Sequence, residues 1–585
     1  MHRIHPTPSL PHGRLLATLL LGLFLTTALQ AQSLPINVPT IPLDQIKAGM
    51  RGEAWTVFEG SQPEKMEVEV LGILRNLAGP KSDVILVRLH GARVEYTGVA
   101  AGMSGSPVYI DGKLAGALAY RIGEFSKEPI GGVTPIASML EINDIPAQPA
   151  APAAPSAAAD TSSYLTPIAT PLTLSGFTPE TIRQFAPRFA ESGLLAVAGA
   201  GSSQETSPNQ PLAAGSAVAA VLVRGDMEMA ATCTVTYADA THLLACGHPV
   251  LGSGNVQIPM ARARILATLA SPASPMKIAT TTEEAGSFTQ DRKSGILGHI
   301  GGTARMIPVA ISATGGGISK QYNVEVLDNP RLTPQVLMSI IFNTLQANNL
   351  YDEQNSLRLR GSVELDGHES ITLGGVYAPG DNPMPPPLAL ALNAGETFAR
   401  LFANPQQPPV LRRVTIQVES LPGRRGAQIE SARLSTLTAH PGEQISVEVT
   451  LHPWRAPAIT RSLAVTIPAS TPPGRLQLLV SDGATLDNPR RAAALAGSLD
   501  LDALAGFYNS LHSNDRIYVS LLQAAPQAEV AGQTLPDLPL SVLGVVDGLR
   551  ASHELMLAPN TPITVASGAL EYEISGAHML TIAIR

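Results

Sequence analysis

The 585-residue chain has few charged side chains, few aromatic residues and only two cysteines, and these scarcities exclude several classes of protein. Charged residues make up 15% and the net charge is −8, so no basic surface is expected for nucleic acid or anionic lipid. Because 44% of the residues are hydrophobic, the chain is not a disordered polyelectrolyte. Beyond the N-terminal 31 residues, no apolar run is long enough to cross a bilayer, for which about 20 residues are needed.

Metal and cofactor motifs are also missing. Outside the N-terminus the histidines are scattered singly, without His-x-x-x-His or Cys-x-x-Cys spacing, so zinc is not expected. The glycine run 315–317 lacks the following Lys-Ser/Thr of a phosphate-binding loop and is better interpreted as a turn. The sequence therefore predicts neither a metal nor a cofactor.

Glycine and proline, by contrast, are abundant, with 51 and 49 residues, while aromatics reach only 4%. This composition indicates many turns between short strands of Val, Ile, Leu and Thr, and hence a mainly β protein. Between Met66 and Leu74, apolar residues alternate with glutamates, which is typical of a half-buried strand. Asp111-Gly112 between two apolar runs predicts a tight hairpin.

The N-terminus has the order of a secretory signal. Arg3 and Arg14 precede the apolar run 15–25, and small and polar residues follow as far as Ala31. The alternative is a membrane anchor, but the run is shorter than a bilayer span of about 20 residues. We expect residues 1–31 to be a signal peptide, cleaved after Ala31 or after Ala28, and the protein to be exported to the periplasm or the medium.

The two cysteines are consistent with an exported protein. Residues 233–237 and 242–246 flank a four-residue turn and predict a hairpin. If Tyr237 faces His242, the same register places Cys233 opposite Cys246, close enough for a disulfide. The alternative is a pair of buried free thiols, and an oxidising compartment favours the bridge.

Changes in composition divide the chain. Residues 147–163 form a low-complexity Ala/Pro/Ser linker, and a Met-Pro-Pro-Pro run at 384–387 marks the next boundary. Apolar spacing and cap residues predict helices from Thr178, from Thr333, over 388–402 and over 501–511. The predicted units are 40–146 and 164–382 on either side of the linker, a β-sandwich-like domain at 390–495, and an α+β segment at 498–585.

The sharpest chemical signal is the segment 102–107, Gly-Met-Ser-Gly-Ser-Pro, which we call the hexad. A serine nucleophile needs a tight turn, with nearby backbone N–H groups free to hold an oxyanion. Glycines on both sides of Ser104 permit such a turn. The alternative is an ordinary Gly/Ser hairpin loop.

A histidine at the end of the cysteine hairpin is the second signal. In Gly247-His248-Pro249 the ring follows a strand that the disulfide would hold rigid. A general base must be held in this way, with one ring nitrogen free for the serine. The alternative is a partly buried structural histidine.

The hexad, the following segment 108–120 and Gly247-His248-Pro249 together resemble the SpoIVB-type serine peptidases, a family similar to the trypsin-like two-barrel enzymes. The resemblance covers about residues 40–380. It implies that Ser104 is the nucleophile, with Ser106 the weaker candidate, and that His248 is the general base. It further implies an oxyanion hole formed by the N–H groups of Gly102 and Ser104, a protein or peptide substrate, and self-cleavage, for which the linker offers an exposed site.

Three features depart from the family. Ser104 precedes His248, which is the reverse of the family's order; no aspartate stands about fifteen residues before the serine; and no PDZ-like segment is evident. A triad is defined by geometry, so a permuted pair of barrels still permits the site. For the third member we consider Asp291, which follows the histidine by 43 residues, or His90 in place of a carboxylate, or no acid at all. The alternative for Asp291 is an exposed turn aspartate.

The sequence therefore predicts a trypsin-like double β-barrel in permuted order, followed by β-sandwich-like domains. The predicted function is that of an exported serine endopeptidase. The rival hypothesis is a catalytically silent scaffold whose C-terminal β domains bind a cell-envelope partner. The reversed order and the missing aspartate favour the scaffold, whereas the intact hexad and the Gly-His-Pro segment favour the enzyme.

Overall fold

The structure is a computed structural model that describes most of the chain. The predicted signal peptide, 1–31, and the predicted linker, 147–163, lie outside the described residues. The described ranges are 37–77, 79–123, 126–142, 164–199, 211–347, 354–380, 384–496, 499–522, 527–530, 533–535, 541–542, 555–558 and 562–585.

The protein is mainly β, as predicted, with 51% strand and 17% helix. The first six strands close into a barrel in the order β4-β1-β2-β3-β6-β5, because β4 and β5 also pair, and β7 joins the edge of β5. Short helices α1 and α2 and a 3-10 turn (Leu43–Gln45) accompany them. The bounds are β1 (Arg51–Thr56), β2 (Glu64–Leu74), β3 (Val84–His90), α1 (Ala92–Thr97), β4 (Pro107–Ile110), β5 (Lys113–Ile122), β6 (Ile130–Pro135), α2 (Ile136–Leu140) and β7 (Leu165–Pro167).

Local sequence explains the barrel strands. In β2 the buried positions are Met66, Val68 and Val70, so the predicted alternation is confirmed. The Asp111-Gly112 turn has φ of +51° and +70°, the pair of left-handed residues that a two-residue hairpin between twisted strands requires. The interior is filled by small and branched apolar side chains of all six strands.

A thirteen-stranded sheet follows in the order β19-β18-β20-β16-β17-β10-β13-β14-β15-β12-β11-β8-β9. Thr178 caps α3 by accepting a hydrogen bond from the Thr181 amide at 3.2 Å, as predicted. The bounds are β8 (Thr170–Ser175), α3 (Pro179–Ala190), β9 (Leu194–Ala198), β10 (Ala217–Gly225), β11 (Glu228–Ala238), β12 (His242–Ala245), β13 (Gly254–Leu269), β14 (Met276–Arg292), β15 (Gly295–Ile300), β16 (Met306–Gly315), β17 (Ile318–Leu327), α4 (Thr333–Gln346), β18 (Ser356–Leu365), β19 (Ile371–Tyr377), α5 (Pro386–Phe402) and β20 (Leu411–Leu421).

The cysteine hairpin lies within this sheet as β11 and β12. The predicted disulfide between Cys233 and Cys246 is confirmed, with a Cα–Cα distance of 5.3 Å. The predicted register is not: Tyr237 pairs with Leu244 instead of His242, because the pairing shifts at a bulge in β11. The shift does not separate the two cysteines. The Cys246 amide donates to the carbonyl of Thr234, the residue after Cys233, at 3.2 Å.

The C-terminal strands form a sandwich with one shared core. Its sheets are β24-β23-β21-β31 and β22-β32-β25-β26-β30, beside a small sheet β28-β27-β29. The bounds are β21 (Gly426–Leu434), β22 (Thr438–Ala439), β23 (Gln444–Pro453), β24 (Ile459–Thr466), β25 (Gly474–Ser481), α6 (Gly483–Ala496), α7 (Leu501–Asn509), β26 (Arg516–Leu522), β27 (Gln527–Val530), β28 (Gln533–Leu535), β29 (Leu555–Ala558), β30 (Ile563–Ala569), β31 (Glu573–Ser575) and β32 (Ala577–Ile584).

Two pairings cross the domain divisions suggested by the sequence. Strand β20, inside the predicted unit 390–495, pairs in parallel with β16 and antiparallel with β18, so it belongs to the thirteen-stranded sheet. Strands β26 and β32, inside the predicted segment 498–585, both pair with β25 of the preceding unit, and β30 pairs with β26. Local strand patterns do not encode these long-range partners.

Candidate active site

The hexad forms a tight turn between α1 and β4 that is wholly buried. Gly102 and Gly105 have φ of +90° and +93°, which L side chains rarely adopt. A Cβ on Gly105 would overlap the carbonyl oxygen of Thr234 and lie 2.5 Å from the amide nitrogen of Cys246. The turn is therefore pressed directly onto the backbone of the disulfide hairpin.

Hydrogen bonds to the hairpin fix the hexad backbone. The Thr234 amide donates to the Ser104 carbonyl at 2.8 Å, and the Thr234 hydroxyl donates to the Gly102 carbonyl at 3.0 Å. The Thr236 hydroxyl donates to the Gly105 carbonyl at 2.8 Å. Three carbonyl groups of the hexad thus point at β11. The amides of the hexad therefore face other parts of the structure.

The two serines of the hexad differ in their bonding. The Ser106 hydroxyl donates to the Met103 carbonyl at 2.6 Å. The Ser104 hydroxyl is fully buried, and the structure gives it no hydrogen-bond partner among the described residues. Buried polar groups normally have partners, so an orphaned hydroxyl calls for an explanation. Of the two sequence candidates, Ser104 is the one whose oxygen is uncommitted.

The backbone amides of the turn show the same contrast. Met103, Gly105 and Ser106 donate their amide hydrogens to carbonyl groups at 2.8–3.0 Å. Within the part of the chain that the structure describes, the amides of Gly102 and Ser104 make no such bond. These are the two donors that the resemblance assigns to an oxyanion hole.

His248 is held in a defined tautomer. Its Nδ1 lies 2.8 Å from the carbonyl oxygen of Pro249. Since a carbonyl only accepts, Nδ1 carries the proton, and Nε2 presents a lone pair. Nε2 is buried and makes no hydrogen bond within the described residues, although the backbone of Ile168 is close enough to the ring to affect its pKa. Burial lowers the pKa of His248, against the opposing effect of the Pro249 and Ile168 carbonyls, so the ring is neutral at pH 7.

The hexad and His248 converge on one stretch of β5. The Gly105 amide donates to the Leu118 carbonyl at 2.8 Å. On the histidine side, a Cβ on Gly247 would lie 2.9 Å from the Cβ of Ala117 and 3.2 Å from that of Ala119. The Gly247 carbonyl accepts a hydrogen bond from Thr134 at 2.7 Å. Two segments that are 140 residues apart in the sequence thus meet at three consecutive residues of one strand.

Asp291 lies close by but does not bond the imidazole. Its two carboxylate oxygens accept the amides of Val250 and Leu251 at 2.9 and 2.7 Å, and the amides of Gly252 and Ser253 also favour its charge. It is buried, not an exposed turn residue, and burial raises its pKa against these donors. In this arrangement Asp291 fixes the loop after His248, while the group that contacts the His248 Nδ1 is the Pro249 carbonyl.

His90, the other candidate for the third member, has different partners. His90 contacts Glu69 at 3.2 Å and Glu95 at 3.8 Å. Neither contact involves His248.

A buried lysine is the residue that sequence reasoning missed. The Lys277 Nζ donates to the Thr56 hydroxyl at 2.6 Å and lies 3.4 Å from the Thr234 hydroxyl, and its methylenes line Gly102. Among the described residues no carboxylate pairs with it, and burial lowers its pKa to about 7. The signal in the sequence is that Lys277 is in phase with Ala279, which faces the same interior.

The lowered pKa of Lys277 predicts how the stability of the protein depends on pH. Its pKa is about 7 in the folded protein and 10.5 ordinarily, so between those values the unfolded chain binds a proton that the folded chain does not. Stability therefore rises with pH over that window, by at most about 1.4 kcal/mol per pH unit. Thermal unfolding should be measured at pH 7, 8 and 9 for wild type and for Lys277→Met. The melting temperature of wild type should rise relative to that of Lys277→Met as the pH increases. The same dependence of melting temperature on pH in both proteins would contradict the burial of a lysine that has no carboxylate partner among the described residues.

A cleft of about 380 Å³ lies beside the loop that leads into the hexad, and neither the hexad nor His248 lines it. It is bounded by the loop that leads into the hexad, at Gly98 and Val99, by the end of β5 at Arg121 and Ile122, and by Pro275. The Ala101 amide bonds the Pro275 carbonyl at 2.8 Å, which ties one wall of the cleft to the hexad.

Comparison with protein-family models, curated proteins and solved structures found no match to this chain. In the described ranges no three His, Cys, Asp or Glu side chains are arranged to hold a metal ion. In those same ranges no helix is both long enough and apolar enough to cross a membrane. Function therefore has to be inferred from the arrangement of the site.

Proposed function

We propose that this protein is a serine endopeptidase in which Ser104 is the nucleophile and His248 the general base. The observation that carries the proposal is a pair of buried atoms that make no hydrogen bond within the described ranges, the Ser104 hydroxyl oxygen and the His248 Nε2, on segments that meet at one stretch of β5. A hydroxyl and a lone pair left without partners by the fold are what nucleophilic catalysis requires.

The proposed reaction follows from these groups. Nε2 accepts the Ser104 proton as the oxygen attacks a peptide carbonyl, and the amides of Gly102 and Ser104 hold the oxyanion. The imidazolium then gives its proton to the leaving amine. Water hydrolyses the acyl-enzyme by the same steps, with His248 again as base. The Pro249 carbonyl steadies the imidazolium, and because it is neutral it does so less than a carboxylate would.

The remaining parts of the proposal rest on the sequence and on two structural features. The six-stranded barrel and the hexad that leads into it are consistent with a trypsin-like enzyme of permuted order, in which the thirteen-stranded sheet supplies the histidine. The disulfide favours an oxidising compartment, and we propose export to the periplasm or the medium. Self-processing at the linker remains part of this proposal.

The complete burial of Ser104 favours the rival function. A nucleophile without exposed surface is also what a catalytically silent scaffold would have, with the C-terminal sandwich binding an envelope partner. Exposed apolar side chains on that sandwich, Leu437 and Met579, offer such a partner a contact.

Exhaustive labelling by a fluorophosphonate decides between the two functions. The purified protein, held for long times at high probe concentration, should take up about one probe per chain, because only an activated serine reacts. Ser104→Ala should take up none. Ser106→Ala is the matched control and should label like wild type, since the Ser106 hydroxyl is committed to Met103. Absence of label in a folded wild-type protein would favour the scaffold.

A further inference from the structure

One edge of β5 is covered by three different segments in succession. Strand β4 pairs with its beginning, from Lys113 to Ala117. The hexad covers the next residue, Leu118, through both of its peptide groups, at 2.8 and 2.9 Å. Strand β7 then covers the remainder, from Tyr120 to Ile122. β7 thus joins this edge directly beyond the hexad.

The end of β7 that lies nearest the site is its carboxyl end. β7 runs antiparallel to β5, and the residue that follows it, Ile168, donates its amide to the Ala119 carbonyl at 2.8 Å. The backbone of Ile168 is close enough to the His248 ring to favour its protonated form. An extended chain here therefore leads from the outer end of β5 straight to the base and the hexad.

The side chain of Ile168 is enclosed. It is fully buried and belongs to the apolar cluster of the barrel, together with Met103 of the hexad and Leu118 of β5. Pro167, the preceding residue, is exposed. The place beside the nucleophile is thus an apolar pocket that fits a branched aliphatic side chain.

Strand β7 is short. It has three residues, and among the described strands it pairs only with β5. An extended peptide of another chain could make the same main-chain hydrogen bonds on β5. Exchange of one strand for the other would keep the hydrogen bonds on β5, and an aliphatic side chain of the incoming peptide would replace the buried contacts of Ile168.

We propose that residues 165–168 occupy the place where an extended peptide substrate binds, so that the chain blocks its own active site. This inference rests on the proposed function. The substrate is a strand added to the edge of β5, with a branched aliphatic residue in the Ile168 pocket and the bond to be cut directly after it. Because no described acceptor meets the amides of Gly102 and Ser104, the carbonyl of Ile168 is not in the oxyanion hole, and the chain's own segment is bound as an inhibitor.

The initial rate of fluorophosphonate labelling tests this blockade. Ile168→Asp places a carboxylate in an apolar pocket, which should expel the segment and raise the rate about tenfold or more, since the open state becomes the populated one. Pro167→Asp makes the same charge change at the exposed neighbour and should stay within about twofold of wild type. Ile168→Gly, which removes the pocket contact without adding a charge, should be intermediate.

A peptide added in trans provides a second readout. The heptapeptide with the sequence of residues 164–170 should slow the labelling of Ile168→Asp back toward the wild-type rate, and a scrambled peptide should not. In a pool of unstructured peptides, Ile168→Gly should cut after Ile, Val or Leu. Equal labelling rates of wild type and Ile168→Asp, or cutting mainly after charged residues, would overturn the blockade while leaving the serine peptidase intact. Exhaustive labelling that fails in every variant would instead overturn the proposed function.

Discussion

Gly105→Ala is expected to lower stability more than any other single methyl group added to the site, by about 4 kcal/mol or more. The added Cβ would overlap the carbonyl of Thr234 and crowd the amide of Cys246, both of which are backbone atoms of a disulfide-bonded hairpin and cannot move aside. The left-handed φ of +93° adds a strain of about 1–2 kcal/mol. The measurement is the first thermal unfolding transition of the purified protein.

Gly112→Ala is the matched control for this prediction. Gly112 also has a left-handed φ, +70°, but no atom of the described residues lies within 4 Å of the position that a Cβ would take. The free energy of unfolding of Gly112→Ala should therefore fall only by the backbone strain of about 1–2 kcal/mol. Equal losses in the two variants would mean that the hexad is not packed against the hairpin as described.

His248→Ala is expected to slow fluorophosphonate labelling of Ser104 by about a thousandfold or more, because the hydroxyl then has no base to take its proton. His242→Ala, on the same hairpin but bonded to Thr241, is the control and should leave the rate within about twofold. A His248→Ala variant that labels at the wild-type rate would remove the histidine from the proposed mechanism.

The pH profile of the same reaction reports on the ring. Burial lowers the pKa of His248 below its ordinary 6.5, and the neutral ring is the active form. The labelling rate should therefore be constant through neutral pH and fall only in acid, below that value. A rate that is still rising above pH 7 would mean that a different group, such as Lys277 with its pKa of about 7, controls the serine.

The parts of the fold and site that the sequence predicts are those encoded locally. Asp111-Gly112 specifies its hairpin through two left-handed residues, and the alternation from Met66 to Val70 specifies a half-buried strand. The glycines of the hexad predict a tight turn because only glycine accepts those φ values without strain. In each case the physical cause lies within a few residues of its effect.

The parts that the sequence does not predict depend on partners far along the chain. Nothing near Leu411–Leu421 shows that this strand joins the thirteen-stranded sheet, since its partners are decided by packing. Nothing near His248 shows that a carbonyl one residue away orients the ring, because any residue carries a carbonyl. The burial of Lys277 is hard to predict because a lysine in a strand normally faces solvent, and only its phase with Ala279 indicates otherwise.

The bulge in β11 explains why the pairing register of the cysteine hairpin could not be predicted from the sequence. A regular ladder places Tyr237 opposite His242, and the shift between Val235 and Tyr237 moves the partner to Leu244. The predicted disulfide is nevertheless confirmed. A disulfide accepts a range of Cα–Cα distances, which includes the observed 5.3 Å, whereas a pairing register changes with a shift of one residue.

The most direct test of the serine peptidase is to locate the phosphonyl group. After exhaustive fluorophosphonate labelling of the purified protein, proteolysis and tandem mass spectrometry should find the adduct on Ser104 and on no other residue. An adduct on Ser106 or outside the hexad, or a folded protein that carries no adduct, would contradict the proposal that Ser104 is the activated nucleophile.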